Sequence, residues 1–540
     1  MGVKCLSSLQ CTRVSLMNHL LDKKSIIKKT VEVGGSTLLS RGFGLIREIL
    51  RARYLGTNAM ADAFFVAFMI PNSLRKIFAE GALTAAFVPT IVSVVKHDDR
   101  KEANSLMTTT FLFFEGILAL LCLVMFFNAE TVIKLVASGF DQDKIIMTAK
   151  LFKILCTFIL FVSSSALLAG SLQAVNHFLI PALGPVLLNI VFIGAISACL
   201  WFDWPVAYLC YAILFGGIAN FILHLIAYFK FGFSFDEITP LAKSQLKSLI
   251  TKFLPVMFSM SIMEINLFID ISFSSYLPDG SVSIINYANR FMGIPLGVFA
   301  VALSTILLPH FARVKMQEPE KLSFYLFEAA KLVMWVTIPV TIFMMAFSQE
   351  IFSTLFLSAK FPMEKILQAK LVLIAFLAGL FFFSLNKIIL NIYYALHDTL
   401  TPMVISIVAT LANLFLNRVF VFWLKAPGLA IATSISGALQ TCLFIYFLHT
   451  MYQFDFHFKQ AGHFISKFIL QTTAMTALFA SLYWLFKFLI LFGLVNLPKT
   501  QEFLLYKFGL WLWVGPLLVA LLLVFFKTRK YFGLEMYFLD

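Results

Sequence analysis

The sequence predicts an all-α polytopic membrane protein with about 14 transmembrane helices. Two observations carry this prediction. Hydrophobic residues make up 60% of the 540 residues and charged residues only 13%, whereas a soluble protein carries about 25% charged residues. Apolar runs of about 20 residues, each long enough to cross a bilayer, also recur along the chain. A soluble enzyme, a disordered chain and a disulfide scaffold are therefore excluded.

The run lengths favour helices over a barrel, because barrel strands would be short and alternating. The predicted spans are residues 30–55, 59–90, 104–128, 145–175, 179–201, 205–230, 250–276, 281–311, 323–349, 365–396, 400–423, 427–449, 464–491 and 506–527. The first two spans are the least apolar, so a search by hydropathy alone could miss them.

The net charge is +14. We explain it by basic residues in every second loop, because loops on the cytoplasmic side of a membrane are enriched in Lys and Arg. These residues are Lys23, Lys24, Lys28, Lys29, Lys96, Arg100, Lys101, Lys230, Lys243, Lys247, Lys252, Arg313, Lys315, Lys321, Lys527, Arg529 and Lys530. We therefore expect both termini in the cytoplasm. No basic run interleaved with aromatic residues lies outside the spans, so we expect no nucleic-acid partner.

The chain resembles itself at one offset. GALTAAFVP ends at Pro89 and VALSTILLP at Pro309, and QAVNHFLIP ends at Pro181 and YALHDTLTP at Pro402. These offsets (309 − 89 = 220 and 402 − 181 = 221) contain six spans, which predicts two parallel six-helix lobes related by an axis along the membrane normal. The predicted division is a basic cytoplasmic segment 1–29, an N-lobe 30–230, a cytoplasmic linker 231–249, a C-lobe 250–449, and 450–540 with two further helices and a basic tail.

Charged residues inside the spans are costly in a bilayer and indicate an internal site. The first two spans hold Arg41, Arg47, Glu48, Arg51, Arg53, Asp62, Arg75, Lys76 and Glu80, and span eight holds Arg290. Local ion pairs and snorkelling are the alternative explanation, above all for Arg51, Lys76 and Lys331. Arginine outnumbers the acids, however, and its planar fork binds phosphate oxygens bidentately. We therefore expect Arg41, Arg47, Arg75 and Arg290 to bind an anion.

The same helices are interrupted by Gly42, Gly44, Pro71 and Gly81. Broken helices around a cavity are typical of transporter sites, although Gly and Pro are also frequent in ordinary membrane helices.

The strings SRGFGLIREILRARYLG (40–56) and ADAFFVAFMIPNSLRKIFAEGALTAAFVP (61–89), with NYANRFMGIP (286–295), resemble the MurJ/MviN family of bacterial lipid II flippases. The resemblance implies a MATE-like fold of the multidrug/oligosaccharidyl-lipid/polysaccharide exporter superfamily, with two lobes and two extra helices. It implies lipid II as substrate, in peptidoglycan synthesis and cell shape, at the bacterial inner membrane. Membrane lipids and cell-wall synthesis or division proteins are further expected partners.

The resemblance carries basic functional positions onto Arg41, Arg47, Arg75 and Arg290, with Glu48, Arg53, Asp62 and Glu80 in support. The sequence departs from the family pattern at three positions. Glu48 stands where many members have Asp, Asn289 precedes Arg290 where Asp is common, and Gly293 replaces a frequent acid.

A possible Na⁺ site is the one cofactor-like feature that we expect. Asp270 lies deep in span seven, Asn413 and Asn417 share one face of span eleven, and Thr433 follows the Pro427-Gly428 break. Oxygen ligands of this kind suit a hard cation, and the region resembles a cation site of the family. Hydrogen bonding between helices is the alternative role of these side chains.

Other functions share parts of this pattern. A multidrug exporter or another polyprenyl-linked oligosaccharide flippase would share the fold, and an anion channel could use the same arginines. A membrane-embedded prenyl-phosphate enzyme would need paired Asp motifs, and Asp98-Asp99 has no D-x-x-D partner. The absence of GxxxxGK[ST] excludes a P-loop. Transport energy is therefore expected from the membrane potential, an ion gradient or consumption of the product.

Overall fold

The computed structural model describes residues 23–78, 83–96, 100–456, 458–494 and 497–539. Helices make up 86% of these described residues. Two compact units are formed. The first comprises residues up to Arg51, Ala67–Ala129 and Lys150–Met260, and the second comprises Ala52–Val66, Glu130–Ala149 and Ser261–Asp540. The division into lobes at residues 230 and 250 stays a prediction.

The N-terminal part of the chain folds into nine helices among the described residues. They are α1 (Lys23–Leu55), α2 (Ala59–Arg75), α3 (Leu83–Lys96), α4 (Arg100–Phe127), α5 (Ala129–Val136), α6 (Gln142–Leu155), α7 (Phe158–Ala174), α8 (Leu179–Phe202) and α9 (Val206–Lys230). Gly42 and Gly44 lie inside α1 and Pro71 lies inside α2, so none of these three residues ends a helix. Gly81, the fourth predicted interruption, lies outside the described residues.

The remaining chain continues the helical pattern. The helices are α10 (Pro240–Ser274), α11 (Ser281–Pro295), α12 (Ala302–Gln317), α13 (Leu322–Ala346), α14 (Ser348–Phe356), α15 (Met363–Ala378), α16 (Leu380–Ala395), α17 (Leu400–Tyr452), α18 (Phe458–Gly493), α19 (Pro498–Tyr506) and α20 (Leu510–Thr528). A π-helical turn, Leu296–Val301, joins α11 to α12.

Ten helical segments among the described residues are long and apolar enough to cross a membrane. The protein is therefore a multi-pass membrane protein, as predicted, while the count of fourteen spans is not confirmed. Helix α1 is not among the ten, because charged residues recur along its sequence. The long helix α17 is counted once although Lys425 breaks it with φ 53° and ψ −135°. This break separates the two predicted spans 400–423 and 427–449.

The segment between α9 and α10 is held against the start of α4. Asn104 Nδ2 donates to Ser234 Oγ at 2.7 Å and to Asp236 Oδ2 at 3.0 Å. The Asp236 N–H donates in turn to Thr108 Oγ1 at 3.0 Å. Hydrogen bonds from Ser234 and Asn104 lower the pKa of Asp236 below its ordinary value of 3.8. Helix α10 begins at Pro240, so half of the predicted linker 231–249 is helical.

Candidate substrate and cation sites

Arg47 is held by several contacts within the first unit. Its Nη1 donates to Asn189 Oδ1 at 2.8 Å and its Nη2 to Glu48 Oε1 at 2.9 Å. Asn189 Nδ2 donates to the Ser40 carbonyl at 3.0 Å. The guanidinium carbon lies 5.2 Å from the centre of the Phe192 ring. The fork of Arg47 is therefore oriented by neighbours on α1 and α8 while part of the side chain stays accessible.

Glu48 joins two arginines of α1. It is buried and pairs with Arg47 through one oxygen and with Arg51 through the other. Arg51 is itself only 2% exposed. Local ion pairing thus accounts for Arg51, and one carboxylate faces two guanidinium groups, which leaves a positive excess at this point of α1.

The other predicted basic residues divide between the two units. In the first unit, Arg41 is exposed and Arg75 is partly buried, with its Nε and Nη2 3.2 and 3.1 Å from Asn72 Oδ1. In the second unit, Arg53 and Arg290 are exposed. Glu80 lies outside the described residues.

Asp62 is buried in the second unit, where both of its carboxylate oxygens accept hydrogen bonds. It is 1% exposed. Its Oδ2 accepts from Lys144 Nζ at 3.1 Å and the Gly280 N–H at 2.8 Å, and its Oδ1 accepts from the Ser283 N–H at 2.8 Å and Oγ at 2.5 Å. Lys144 also contacts Asp279 at 2.7 Å. Both oxygens of Asp62 are thus engaged in stabilising the start of α11, which does not favour the supporting role at a substrate site expected from the sequence.

The four residues of the predicted cation site meet in the second unit. Asn417 Nδ2 lies 2.8 Å from Asp270 Oδ1 and 3.0 Å from Asn413 Oδ1. Thr433 Oγ1 lies 3.3 Å from both Asp270 Oδ2 and Asn413 Nδ2. The break at Lys425 lets the second half of α17 turn back beside the first half, so that Thr433 reaches residues twenty positions earlier.

The chemistry of this cluster fits a small hard cation. Asn413 and Asn417 are buried, and the buried Asn417 Oδ1 has no hydrogen-bond partner among the described residues. Oxygen atoms of carboxylate, amide and hydroxyl groups are the ligands that such cations prefer. Asp270 supplies the single carboxylate. Among the described residues, no group of three or more His, Cys, Asp or Glu suggests a transition-metal centre. A monovalent ion matches this charge better than a divalent one.

The sequence analysis missed one residue that contacts Arg47 and one that contacts Asp62. Asn189 orients Arg47 from 142 positions away, and its signal was a lone amide in a strongly apolar span. Lys144 is 7% exposed and bonded to Asp62. It lies in the first turn of α6 between acidic residues of the sequence, and the sequence analysis gave it no role.

The match to a family model decides the family of this chain. The model described as "Lipid II flippase MurJ" matches residues 51–501. The chain belongs to the MurJ family. A "Lipid II flippase MurJ" from Burkholderia cenocepacia is 31% identical over 427 residues, which cover 78% of this chain and 83% of that protein. A "Probable lipid II flippase MurJ" from Vibrio cholerae is 29% identical over 441 residues, covering 79% and 83% respectively.

Solved structures agree with this family assignment. The structure titled "Lipid II flippase MurJ, inward closed conformation" has a TM-score of 0.74 and 25% identity, and covers 93% of this chain and 99% of its own. An inward-facing multidrug resistance MATE transporter has a TM-score of 0.66, with 14% identity over 75% of this chain and 92% of its own. The second similarity shows the fold alone. The MurJ family resemblance and the MATE-like fold expected from the sequence are thereby confirmed.

Proposed function

We propose that this MurJ family member moves lipid II, which is undecaprenyl-pyrophosphate carrying the peptidoglycan disaccharide-peptide. The movement is from the inner to the outer leaflet of the bacterial cytoplasmic membrane, for cell-wall synthesis. The family match over residues 51–501 carries this proposal. Because the family is one of flippases, the protein is a transporter and not an enzyme.

The physical task is to carry a polar head across hydrocarbon. A pyrophosphate and sugars cannot cross unaided, because unpaired charge in a bilayer is costly. We assign the crossing to alternating access by two six-helix lobes, 30–230 and 250–449, within a fourteen-span chain whose termini are both cytoplasmic. The recurring Pro positions support this arrangement, since parallel repeats of this kind hold the substrate between lobes in other transporters.

The pyrophosphate is assigned to Arg41, Arg47, Arg75 and Arg290. The oriented fork of Arg47 supports this assignment, because Asn189 and Glu48 engage it from the side and leave it partly accessible. Bidentate contacts from Arg to phosphate oxygens are stronger than neutral hydrogen bonds and fix geometry. Glu48 acts as the positioning residue for Arg47, and the excess of guanidinium over carboxylate favours a dianionic group.

The cation site is assigned to Asp270, Asn413, Asn417 and Thr433, with Na⁺ as the ion. The unpaired oxygen of Asn417 supports this assignment, since a buried carbonyl oxygen without a donor is costly unless a ligand occupies it. A bound Na⁺ would supply positive charge that neutralises Asp270. Coupling of that charge to the membrane potential or to a Na⁺ gradient would replace ATP as the energy source, and consumption of the product outside would add to it.

Complementation of a bacterium depleted of its lipid II flippase tests the function. Expression of this chain should restore growth, rod shape and exposure of lipid II on the outer leaflet, measured by labelling from outside the cell. Insertion into the membrane without restored exposure would contradict the proposal. Membrane lipids surround the protein in either case. Association with cell-wall synthesis or division proteins would be measured by co-purification from the same strain.

A further inference from the structure

A basic cavity lies where α13, α18 and the C-terminal segment 529–539 meet, all within the second unit. Its volume is about 450 Å³. The segment is packed in place by apolar side chains, since Leu534 and Met536 are buried against Trp335 and Phe464. The Tyr537 N–H also donates to Glu328 Oε2 at 2.9 Å, so the wall that the segment contributes to the cavity is ordered.

One face of α18 gives this cavity its charge. Lys459, His463 and Lys467 line it at intervals of four residues, which places them on the same side of a helix. Lys467 Nζ lies 3.4 Å from the carbonyl oxygen of Gly533. Gly533 has φ 64°, and a Cβ at this position would lie 2.8 Å from Lys467 Nζ. The positive φ favours glycine at this position, while the contact with Lys467 could be relieved by movement of its flexible side chain.

The positive charge of the cavity exceeds the negative charge. Lys331 is paired with Glu328 at 2.5 Å and donates to the Glu535 carbonyl at 3.1 Å. Neither Lys459 nor Lys467 forms an ion pair with any carboxylate among the described residues. Glu535 is the one acid that lines the cavity. An anion would therefore meet two lysine ammonium groups that no carboxylate among the described residues neutralises.

Aromatic and aliphatic side chains border the cavity. Phe327 and Phe464 form part of its wall, with Lys331 Nζ 5.1 and 5.5 Å from their ring centres. Ile469 and Leu470, further along α18, are 57% and 62% exposed. In the described part of α18, the most apolar stretch has no buried residue. The helix thus exposes apolar side chains from Ile469 and Leu470, next to the basic cavity, into its most apolar stretch.

We propose that this cavity binds the phosphate of an anionic phospholipid of the surrounding bilayer, with the acyl chains lying along α18. Basic pockets at the cytoplasmic ends of membrane helices bind such headgroups. The exposed apolar face of α18 favours a bilayer lipid over free phosphate, because only the lipid has a tail to cover that face. The site uses none of the arginines assigned to the pyrophosphate. A bound lipid would bridge α18 to the C-terminal segment and hold both together.

The test is native mass spectrometry of the purified full chain with dioleoylphosphatidylglycerol or dioleoylphosphatidylcholine. We expect the wild type to retain phosphatidylglycerol in preference to phosphatidylcholine. A Lys459→Gln, Lys467→Gln double variant should bind phosphatidylglycerol about 30-fold more weakly, from the contribution of two lysines near an anionic lipid. A Lys487→Gln, Lys499→Gln double variant removes equal charge near the end of α18 and in α19, and it should bind like the wild type.

A Lys459→Arg, Lys467→Arg variant separates charge from packing, and it should keep its preference for phosphatidylglycerol. Equal binding of the two phospholipids by the wild type would overturn the proposal, as would an equal loss in both glutamine variants. Displacement of the lipid by inorganic phosphate at the same concentration would assign the cavity to free phosphate instead. Tighter binding of undecaprenyl pyrophosphate than of phosphatidylglycerol at this cavity would assign it to the substrate and would equally overturn the proposal.

Discussion

Asn176 and His397 are 221 residues apart (397 − 176 = 221) and share one rare backbone conformation, with φ of 61° and 60°. Each ends a helix, α7 or α16, and each is followed within a few residues by the next helix, α8 or α17. Left-handed backbone is uncommon for residues other than glycine. Both residues lie in the strings that end at Pro181 and Pro402, so the backbone conformation repeats where the sequence repeats.

Two more pairs of left-handed residues follow in the same order. Asp203 and Lys425 have φ of 50° and 53°, 222 residues apart (425 − 203 = 222). Gly232 and Gln453 have φ of 78° and 53°, 221 residues apart (453 − 232 = 221). Three helix-ending turns thus recur at nearly one offset, which supports an internal repeat of the chain. Superposition of the two predicted lobes stays a prediction.

The first prediction concerns the assigned pyrophosphate ligands. An Arg75→Ala, Arg290→Ala double variant should lose lipid II exposure in the complementation assay. Arg47→Lys should lower it by about tenfold or more, because charge remains while the bidentate fork is lost. Arg418→Ala is the matched control, since this exposed arginine of α17 lies 5.5 Å from the Phe422 ring and is not assigned to the site. Normal transport by the double variant at wild-type expression would contradict the assignment.

The second prediction concerns Asp270. Na⁺ should raise the melting temperature of the purified protein, because a ligand that binds only the folded state stabilises it. Asp270→Asn keeps the shape of the side chain but removes its charge, so this stabilisation should disappear. Asp203→Asn, an exposed substitution at a left-handed position that Asn tolerates, should respond to Na⁺ like the wild type. Stabilisation by K⁺ equal to that by Na⁺ would refute a selective Na⁺ site.

The third prediction concerns the buried bond between Asp62 and Lys144. Asp62→Ala leaves the ammonium of Lys144 buried with Asp279 alone and leaves two N–H groups of α11 without an acceptor. Breaking one partner of a buried pair costs about 3–5 kcal/mol, so the melting temperature should fall by several degrees or more. Asp143→Ala removes an exposed acid next to Lys144 on α6 and should change little. Equal melting temperatures for the two variants would contradict a structural role of Asp62.

The fourth prediction is a pH dependence of the segment before α10. Since folding lowers the pKa of Asp236 below 3.8, its hydrogen bonds stabilise the segment at pH values above 3.8. That contribution is lost as the pH falls from there through the lower folded-state pKa. Hydrogen exchange of residues 231–239 should therefore accelerate in this acid window. Asp236→Asn should remove the pH dependence, while Glu237→Gln, on the exposed neighbour, should retain it.

The fifth prediction uses the repeated turns. His397→Gly should stabilise the protein by about 1 kcal/mol, because glycine adopts positive φ without the steric cost of a Cβ. Asn176→Gly should give a smaller gain, since Asn tolerates this conformation better than His. Thermal unfolding of the two variants in one detergent measures the difference. A loss of stability in His397→Gly would show that the imidazole makes contacts that outweigh the backbone strain.

Much of the fold and part of the candidate sites could be predicted from the sequence, because these depend on local composition and spacing. Apolar runs determine that the chain crosses a membrane, and the Pro427-Gly428 pair marks the break that the structure has at Lys425. A four-residue interval puts Asn413 and Asn417 on one helix face. The excess of arginine in α1 is likewise a property of the sequence alone.

Only the tertiary structure decided which charged group meets which. Glu48 has arginines on both sides of it along the chain, and packing makes it bond both Arg47 and Arg51. Asp62 bonds Ser283, 221 residues later in the chain. Such pairs depend on which helices pack together and on how each side chain is desolvated, and neither is encoded in a local window of residues. The sequence by itself therefore determined the membrane class and the kinds of chemical group available, and packing determined their partners.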